Sequence, residues 1–289
     1  MRYSIKDLET ISGIKAHTIR AWELRYNIFT PLRNSNNTRL YTADELKFLL
    51  NLTFLNRKGF KISHLCKYNS TEIAKKVVEH FPIADNRDVI FHHWLLATLE
   101  FDELLFEKVL SECIREKGLE STLIESLFPF MQKIGNLWHA GFVSSSQEHF
   151  MTNLIRRKII GAIDSLPLSS VGTGKQFLLF LPEGEWHELV LLFSYYLIKR
   201  RDHKVIYLGQ SVPWEDIANL RNVKDIDFIV SVITYPQMDE SIEDYLIKLC
   251  SHFNLSNILI AGQYAGVDGF SSAVNVNFIN GPDDLLKFI

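Results

Sequence analysis

Up to about residue 164 the apolar residues of this 289-residue chain recur at helical spacing, and beyond residue 175 short strand-like runs alternate with helical ones. The two patterns, in a chain long enough for two or three domains, require separate bodies. The stretch between them, 165–175, is rich in Ser, Gly and Pro and reads as a linker. After it, 176–181, 203–208, 227–232, 257–261 and 274–279 read as short buried strands. Helices fit 187–200, 213–220, 239–253 and a last segment from Pro282. Alternation of this kind gives a parallel sheet covered on both faces, with ligands at the carboxyl ends of its strands. Upstream, 89–100, 102–116, 121–138 and 144–164 read as four helices with short connections near Phe101, Gly118 and Gly141, which suits an antiparallel bundle.

The first forty residues are of a third kind. Ser4 is placed to cap a short helix with Ile5, Leu8 and Ile11 on its apolar side, and Gly13 supplies a left-handed turn before a second helix near Lys15. On that helix Ile19 points inward while Lys15, His17, Thr18 and Arg20 face outward, as a helix in a major groove requires. Pro31, Arg33 and the polar run Asn34-Ser35-Asn36-Asn37 form a hairpin tip that returns through Arg39 and Tyr41. Charge follows the same division: residues 1–78 hold 14 Lys or Arg against 6 Asp or Glu, and the remainder 17 against 28. A basic head on an acidic body suits phosphate binding by the head alone. The plainer alternative is a small helical domain with a solvated basic face.

These residues resemble the winged-helix domain of the MerR family of bacterial transcription regulators. The likeness runs from Tyr3 to about Leu65. It rests on His17-Thr18-Ile19-Arg20, Trp22-Glu23, Arg25-Tyr26, Pro31-Leu32-Arg33, Thr38-Arg39-Leu40-Tyr41 and Lys58-Gly59-Phe60. The resemblance implies a double-stranded DNA operator, with base contacts from Lys15, His17 and Thr18 and backbone contacts from Arg20, Arg33, Arg39 and Tyr41. Cys66, Cys113 and Cys250 stand alone in sequence, which argues against metal sensing and for three packed thiols. No run of about 18 apolar residues and no signal-peptide pattern occurs, so the chain is expected in the cytoplasm and off the membrane.

Two further groups carry chemistry. Trp138 ends the third bundle helix and Glu148-His149 lie just inside the fourth. That trio reads either as a lid for a polar organic ligand or as a core Trp beside an ordinary polar pair. In the alternating region the first strand runs into Glu183-Gly184-Glu185-Trp186-His187-Glu188-Leu189. This loop resembles that of the cobalamin-binding domain of methionine synthase and corrinoid proteins, where Asp/Glu-x-His-x-x-Gly is followed by Ser-x-Leu and then Gly-Gly. Glu185 and His187 take the first two positions, Ser231-Val232-Ile233 falls within one residue of the next motif, and Gly262-Gln263 stands at the last. The resemblance implies His187 as a cobalt ligand and a glycine-lined channel, including Gly262, for the nucleotide tail of the cofactor. Glu185 suits the other ring proton of His187, and Ser231 an extension of that network. Val190 and Gln263 replace family glycines and add volume near the channel. A loop histidine that binds nothing is the competing reading.

The order of head, Trp and Glu-His bundle, and cobalamin-type sheet resembles the light-responsive, B12-dependent repressors of carotenoid genes. That resemblance implies adenosylcobalamin or another cobalamin as cofactor, with Trp138, Glu148 and His149 as a lid over the adenosyl group. It also implies a homo-oligomer, dimer or tetramer, that light takes apart. The expected organisation is multi-domain, α and α/β: a winged helix-turn-helix over 1–80, a four-helix bundle cap over 84–166, and a flavodoxin-like, Rossmann-type parallel sheet over 174–289. A DNA-binding repressor, not an enzyme, is the leading function. The alternatives are a cofactor-free regulator that uses a degenerate B12-type domain for protein contacts, and a corrinoid-carrying enzyme subunit. No long heptad helix follows the head, so oligomerisation is expected through bundle and sheet.

Overall fold

The computed structural model describes residues 2–33, 37–80, 87–167, 174–220, 225–234, 241–262 and 275–289. The wing tip at 34–36, the junction at Phe81-Pro82, much of the linker and Gln263 lie outside the described residues. The chain divides into two compact units, Met1–Met151 and Thr152–Ile289. This division falls within the fourth bundle helix.

The first unit opens with strand β1 (Arg2–Ser4) and helix α1 (Ile5–Ser12). Ser4 caps α1 as expected, in a reciprocal box with Asp7. Gly13 closes the helix at φ +72°, and a Cβ there would stand 2.7 Å from Arg57 Nη2, whose guanidinium donates to Ser12 O. Helix α2 (Ala16–Tyr26) follows, then β2 (Leu32–Arg33), β3 (Arg39–Thr42) and α3 (Ala43–Arg57), the last capped by a Thr42–Glu45 box. The three strands form an antiparallel sheet in the order β1-β3-β2, which is the wing. Helices α4 (Ile62–Leu65) and α5 (Ser70–His80) complete the head.

All four bundle helices form near their expected bounds: α6 (Arg87–Glu100), α7 (Glu103–Thr122), α8 (Phe128–His139) and α9 (Ser145–Asp164). The connections expected at Phe101, Gly118 and Gly141 each hold a positive φ, 56°, 79° and 76°. One feature escaped the periodicity. A π-helical turn, Leu123–Leu127, joins α7 to α8, so one helical run contains a local register change. Trp94, Phe106 and Phe130 build the aromatic centre, with Trp94 ring centroids 5.8 and 5.4 Å from the other two. Head and cap meet along α3 and α6. Lys47 pairs with Glu100 at 2.5 Å, Lys58 with Asp88 at 3.3 Å, and between them His92 Nε2 lies 2.7 Å from Asn51 Oδ1 with its ring stacked on Phe54.

The second unit is a five-stranded, wholly parallel sheet of β4 (Gln176–Pro182), β5 (Lys204–Val212), β6 (Phe228–Ile233), β7 (Asn257–Gly262) and β8 (Val276–Ile279). Its order, β5-β4-β6-β7-β8, is the flavodoxin-like order. Helices α10 (Leu189–Arg200), α11 (Trp214–Leu220), α12 (Ile242–His252) and α13 (Pro282–Leu286) connect and follow the strands. Strand β5 runs four residues past its expected end through two register shifts against β4. Helix α10 begins at Leu189, not at His187, because Glu185 and His187 are held in the loop before it. Strand order reverses between β4 and β6, and open α/β sheets bind ligands at the carboxyl ends of the strands at such a reversal.

Two outcomes test this packing. Gly262 sits at φ +114° with the place of a Cβ 2.1 Å from Ile233 O, so Gly262→Ala should lower stability by at least about 2 kcal/mol in urea unfolding; a change under about 0.5 kcal/mol would contradict the geometry. Burial above all, with His93 and Lys133 adding, holds the pKa of His92 down to about 3. Below about pH 6.5 the unfolded chain takes up a proton that the folded chain refuses, so stability should fall as pH drops from about 6.5 towards 3. His92→Gln should show a shallower acid slope in denaturation midpoints, and an unchanged slope would contradict the assignment.

Candidate functional site

The head presents one helix face. Lys15, His17 and Arg20 are exposed on α2 and Thr18 is half-exposed, while Ile19 is buried beneath them. Lys15 Nζ pairs with Glu9 Oε1 at 3.0 Å, and Glu9 Oε2 accepts the Ala16 N–H, so the end of α1 caps the start of α2. At 73% side-chain exposure this ion pair is weak and yields readily to an anion. Arg33 is exposed on β2, its Nη1 donating to Asn37 Oδ1 at 2.7 Å.

Arg39 and Tyr41 are placed differently from a plain backbone contact. Tyr41 is fully buried, and its hydroxyl donates to Glu23 Oε2 at 2.9 Å. Burial and that carboxylate push its ionisation far up. Arg39 Nε donates to Glu23 Oε1 at 3.0 Å and keeps only partial exposure. Glu23 therefore ties the reading helix to the wing strand. Glu23 and Arg39 both stood in the sequence motif, but a contact sixteen residues away on another element left no periodic signal.

In the cap, Trp138 is 42% exposed and its indole N–H donates to Ser145 Oγ at 3.1 Å. The indole is thus fixed to the first turn of α9, which carries Glu148. His149 Nδ1 lies 3.3 Å from Glu148 Oε2 with its ring largely exposed. His139, not singled out by sequence, packs its imidazole against Trp138 at 4.8 Å. The corner is an open aromatic plate edged by a carboxylate and imidazoles.

In the second unit the loop after β4 is organised by Glu185, which has no exposure at all. Its Oε1 takes the N–H groups of Trp186 and His187 at 2.9 and 3.0 Å and meets His187 Nδ1 at 2.5 Å. Its Oε2 takes the Thr234 N–H at 2.7 Å, just past the end of β6. The imidazole is 63% exposed, with its Nδ1 held at the carboxylate. Ser231 does not extend this network as expected. It lies on β6, buried, with a hydroxyl that has no hydrogen-bond partner, because strand alternation sets it on the face of Ile229 and Ile233 that packs against α12. Thr234 N fills the role instead. Val190 is 41% exposed in the first turn of α10.

Residues 3–70 match the MerR HTH family regulatory protein family, and residues 90–160 match a B12 binding domain. The head is similar to MerR helix-turn-helix regulators over that stretch. The joined chain is homologous to two repressors of Myxococcus xanthus. The HTH-type transcriptional repressor CarH is 28% identical over 253 residues, 86% of this chain and 84% of CarH. The repressor CarA is 27% identical over 216 residues, 74% of this chain and 70% of CarA. Among solved structures, the monomethylamine corrinoid protein of Methanosarcina barkeri shares the fold at a TM-score of 0.53 and 13% identity, over 74% of this chain and 97% of that one. Among the described residues no group of His, Cys, Asp and Glu is built for a bare metal ion, and no helix is long and apolar enough to cross a membrane. Burial raises the thiols of Cys66 and Cys113 to about 11, as packed residues.

Two features of the α/β unit can be set against a corrinoid. An exposed imidazole is held by a buried carboxylate at the end of β4, and a buried hydroxyl on β6 has no hydrogen-bond partner among the described residues. For the MerR-type head, Tyr41→Phe should cost about 1 kcal/mol of stability by removing the Glu23 bond while leaving the salt dependence of DNA binding unchanged. An equal loss of affinity for specific and random DNA in the folded variant would show that the hydroxyl reaches phosphate.

Proposed function

We propose that this chain is a transcriptional repressor that binds an operator through its MerR-type head and takes its signal from a cobalamin, adenosylcobalamin, held by its B12-type region. What carries the reading is the union in one chain of an exposed α2 face with the Glu185–His187 pair at the strand-order reversal. The relatedness to CarH and CarA supports the same combination. The MerR-type head argues against the reading as a corrinoid-carrying enzyme subunit.

Each residue has a stated task. His17, Thr18 and Lys15 read base edges, Arg20 and Arg33 hold phosphates, and Arg39 and Tyr41 set the wing against α2 through Glu23. His187 would supply a nitrogen to cobalt through Nε2 while Glu185 holds Nδ1. Ser231 would offer its hydroxyl to the nucleotide tail, and Gly262, by the resemblance, would lie along its path. Trp138, Glu148 and His149 are the cap's candidates for contact with an adenosyl group. Adenosylcobalamin, when bound, supplies a cobalt–carbon bond that light breaks. The protein assembles as an oligomer in the dark, so that several heads reach one operator and gain through effective concentration.

The test divides the head into readers and holders. Arg20→Ala should weaken binding to specific and random DNA alike and lower the salt slope by about 0.9. His17→Ala should change the preferred sequence, costing about 1–3 kcal/mol on the native operator. Equal effects of both changes on specific and random DNA, measured by fluorescence anisotropy across a salt series, would overturn the assignment.

A further inference from the structure

Glu188 follows His187 directly, and the Glu-x-His spacing gives it no task. Its side chain is only 7% exposed. One carboxylate oxygen accepts from Arg156 Nε at 2.7 Å and the other from the Tyr207 hydroxyl at 2.7 Å. Arg156 stands on α9, within the second unit, Tyr207 on β5, and Glu188 is the last residue before α10, its carbonyl receiving the Leu192 N–H. Three elements are thus pinned at one carboxylate. Tyr207 is in turn stacked on Tyr195 of α10, with centroids 5.1 Å and planes 17° apart. A buried carboxylate is tolerated while both partners remain, and removing the cation leaves a charge with no compensation.

His187 and Glu188 share a peptide bond. Glu185 orients the imidazole from inside the loop, and Glu188 fixes the point at which the loop enters α10. We propose that Arg156, Glu188 and Tyr207 are positioning residues that hold His187 within coordinating reach of a corrinoid cobalt. This rests on the corrinoid reading above. Loosening the anchor lets the loop and its imidazole shift, whereas Ser231 on β6 and Gly262 on β7 stay in place. The corrinoid therefore remains bound and loses its histidine nitrogen.

The test uses full-length protein loaded with cob(II)alamin without oxygen, desalted, and read by electron paramagnetic resonance. Incorporating heavy-nitrogen histidine changes the axial superhyperfine pattern only when an imidazole, and not the cofactor's own base, is the ligand. Wild type should show that change. Arg156→Met and Glu188→Gln should retain corrinoid with about 10- to 100-fold less imidazole coordination, the usual cost of losing an outer-shell partner, and Arg156→Lys should restore it. Tyr207→Phe, which keeps the ion pair, should give a smaller loss and serves if the other variants melt in circular dichroism. Full imidazole coordination in the folded variants overturns the positioning role and leaves the corrinoid reading standing. Variants that lose the corrinoid altogether also overturn it, since the anchor then serves binding. A wild type that retains no corrinoid overturns the corrinoid reading itself and this inference with it.

Discussion

One carboxylate without access to water, that of Glu185, holds the ends of two strands and an imidazole in a single arrangement. Charge in such a place is stable only where hydrogen bonds replace hydration, and here backbone N–H groups from its own loop and from Thr234 do so beside His187 Nδ1. The loop can be this short because β4 and β6 are neighbours in the sheet while the chain leaves them in opposite directions. Sheet order thus creates the crevice, and Glu185 converts it into a site with an oriented ring.

The head repeats the device on a smaller scale. Glu23 lies between the reading helix and the wing, and its two oxygens bind Arg39 and Tyr41. Such an arrangement keeps α2 and β3 in fixed register without spending the exposed cations of α2 on internal contacts. Beneath the head, α3 and α6 join through an ion pair at each end and the buried Asn51–His92 bond between them, so head and cap share one compact unit. Polar seams of this kind need every partner in place, which makes the junction specific and sensitive to acid.

Much of the fold was legible because it is periodic. Strand and helix alternation gave the five parallel strands, and Gly118 marked a break that the backbone confirms with a left-handed φ. Local chemistry was equally readable: Ser4 with Asp7, Gly13, and the Glu185–His187 pair two residues apart are all short-range. What was hidden depends on distant partners. Nothing in the sequence joins Glu23 to Tyr41, Arg156 to Glu188, or Glu185 to Thr234, since each bond crosses between elements. Ser231 was expected beside Glu185, and the two-residue alternation of β6 turns its hydroxyl towards α12 instead. The π turn after Gly118 also left no trace, because a single π turn adds only about one residue to the helical repeat and keeps the apolar spacing almost intact.

In the proposed function a cobalamin sets the grip of the head on DNA. The most direct measurement is operator affinity in the dark with and without adenosylcobalamin, repeated after illumination, with sedimentation followed in parallel. The account requires tight binding and a larger particle only with the cofactor in the dark, and loss of both under light. Operator affinity and particle size that ignore cofactor and light alike would contradict it, and would leave a MerR-type regulator whose B12-type fold serves protein contacts alone.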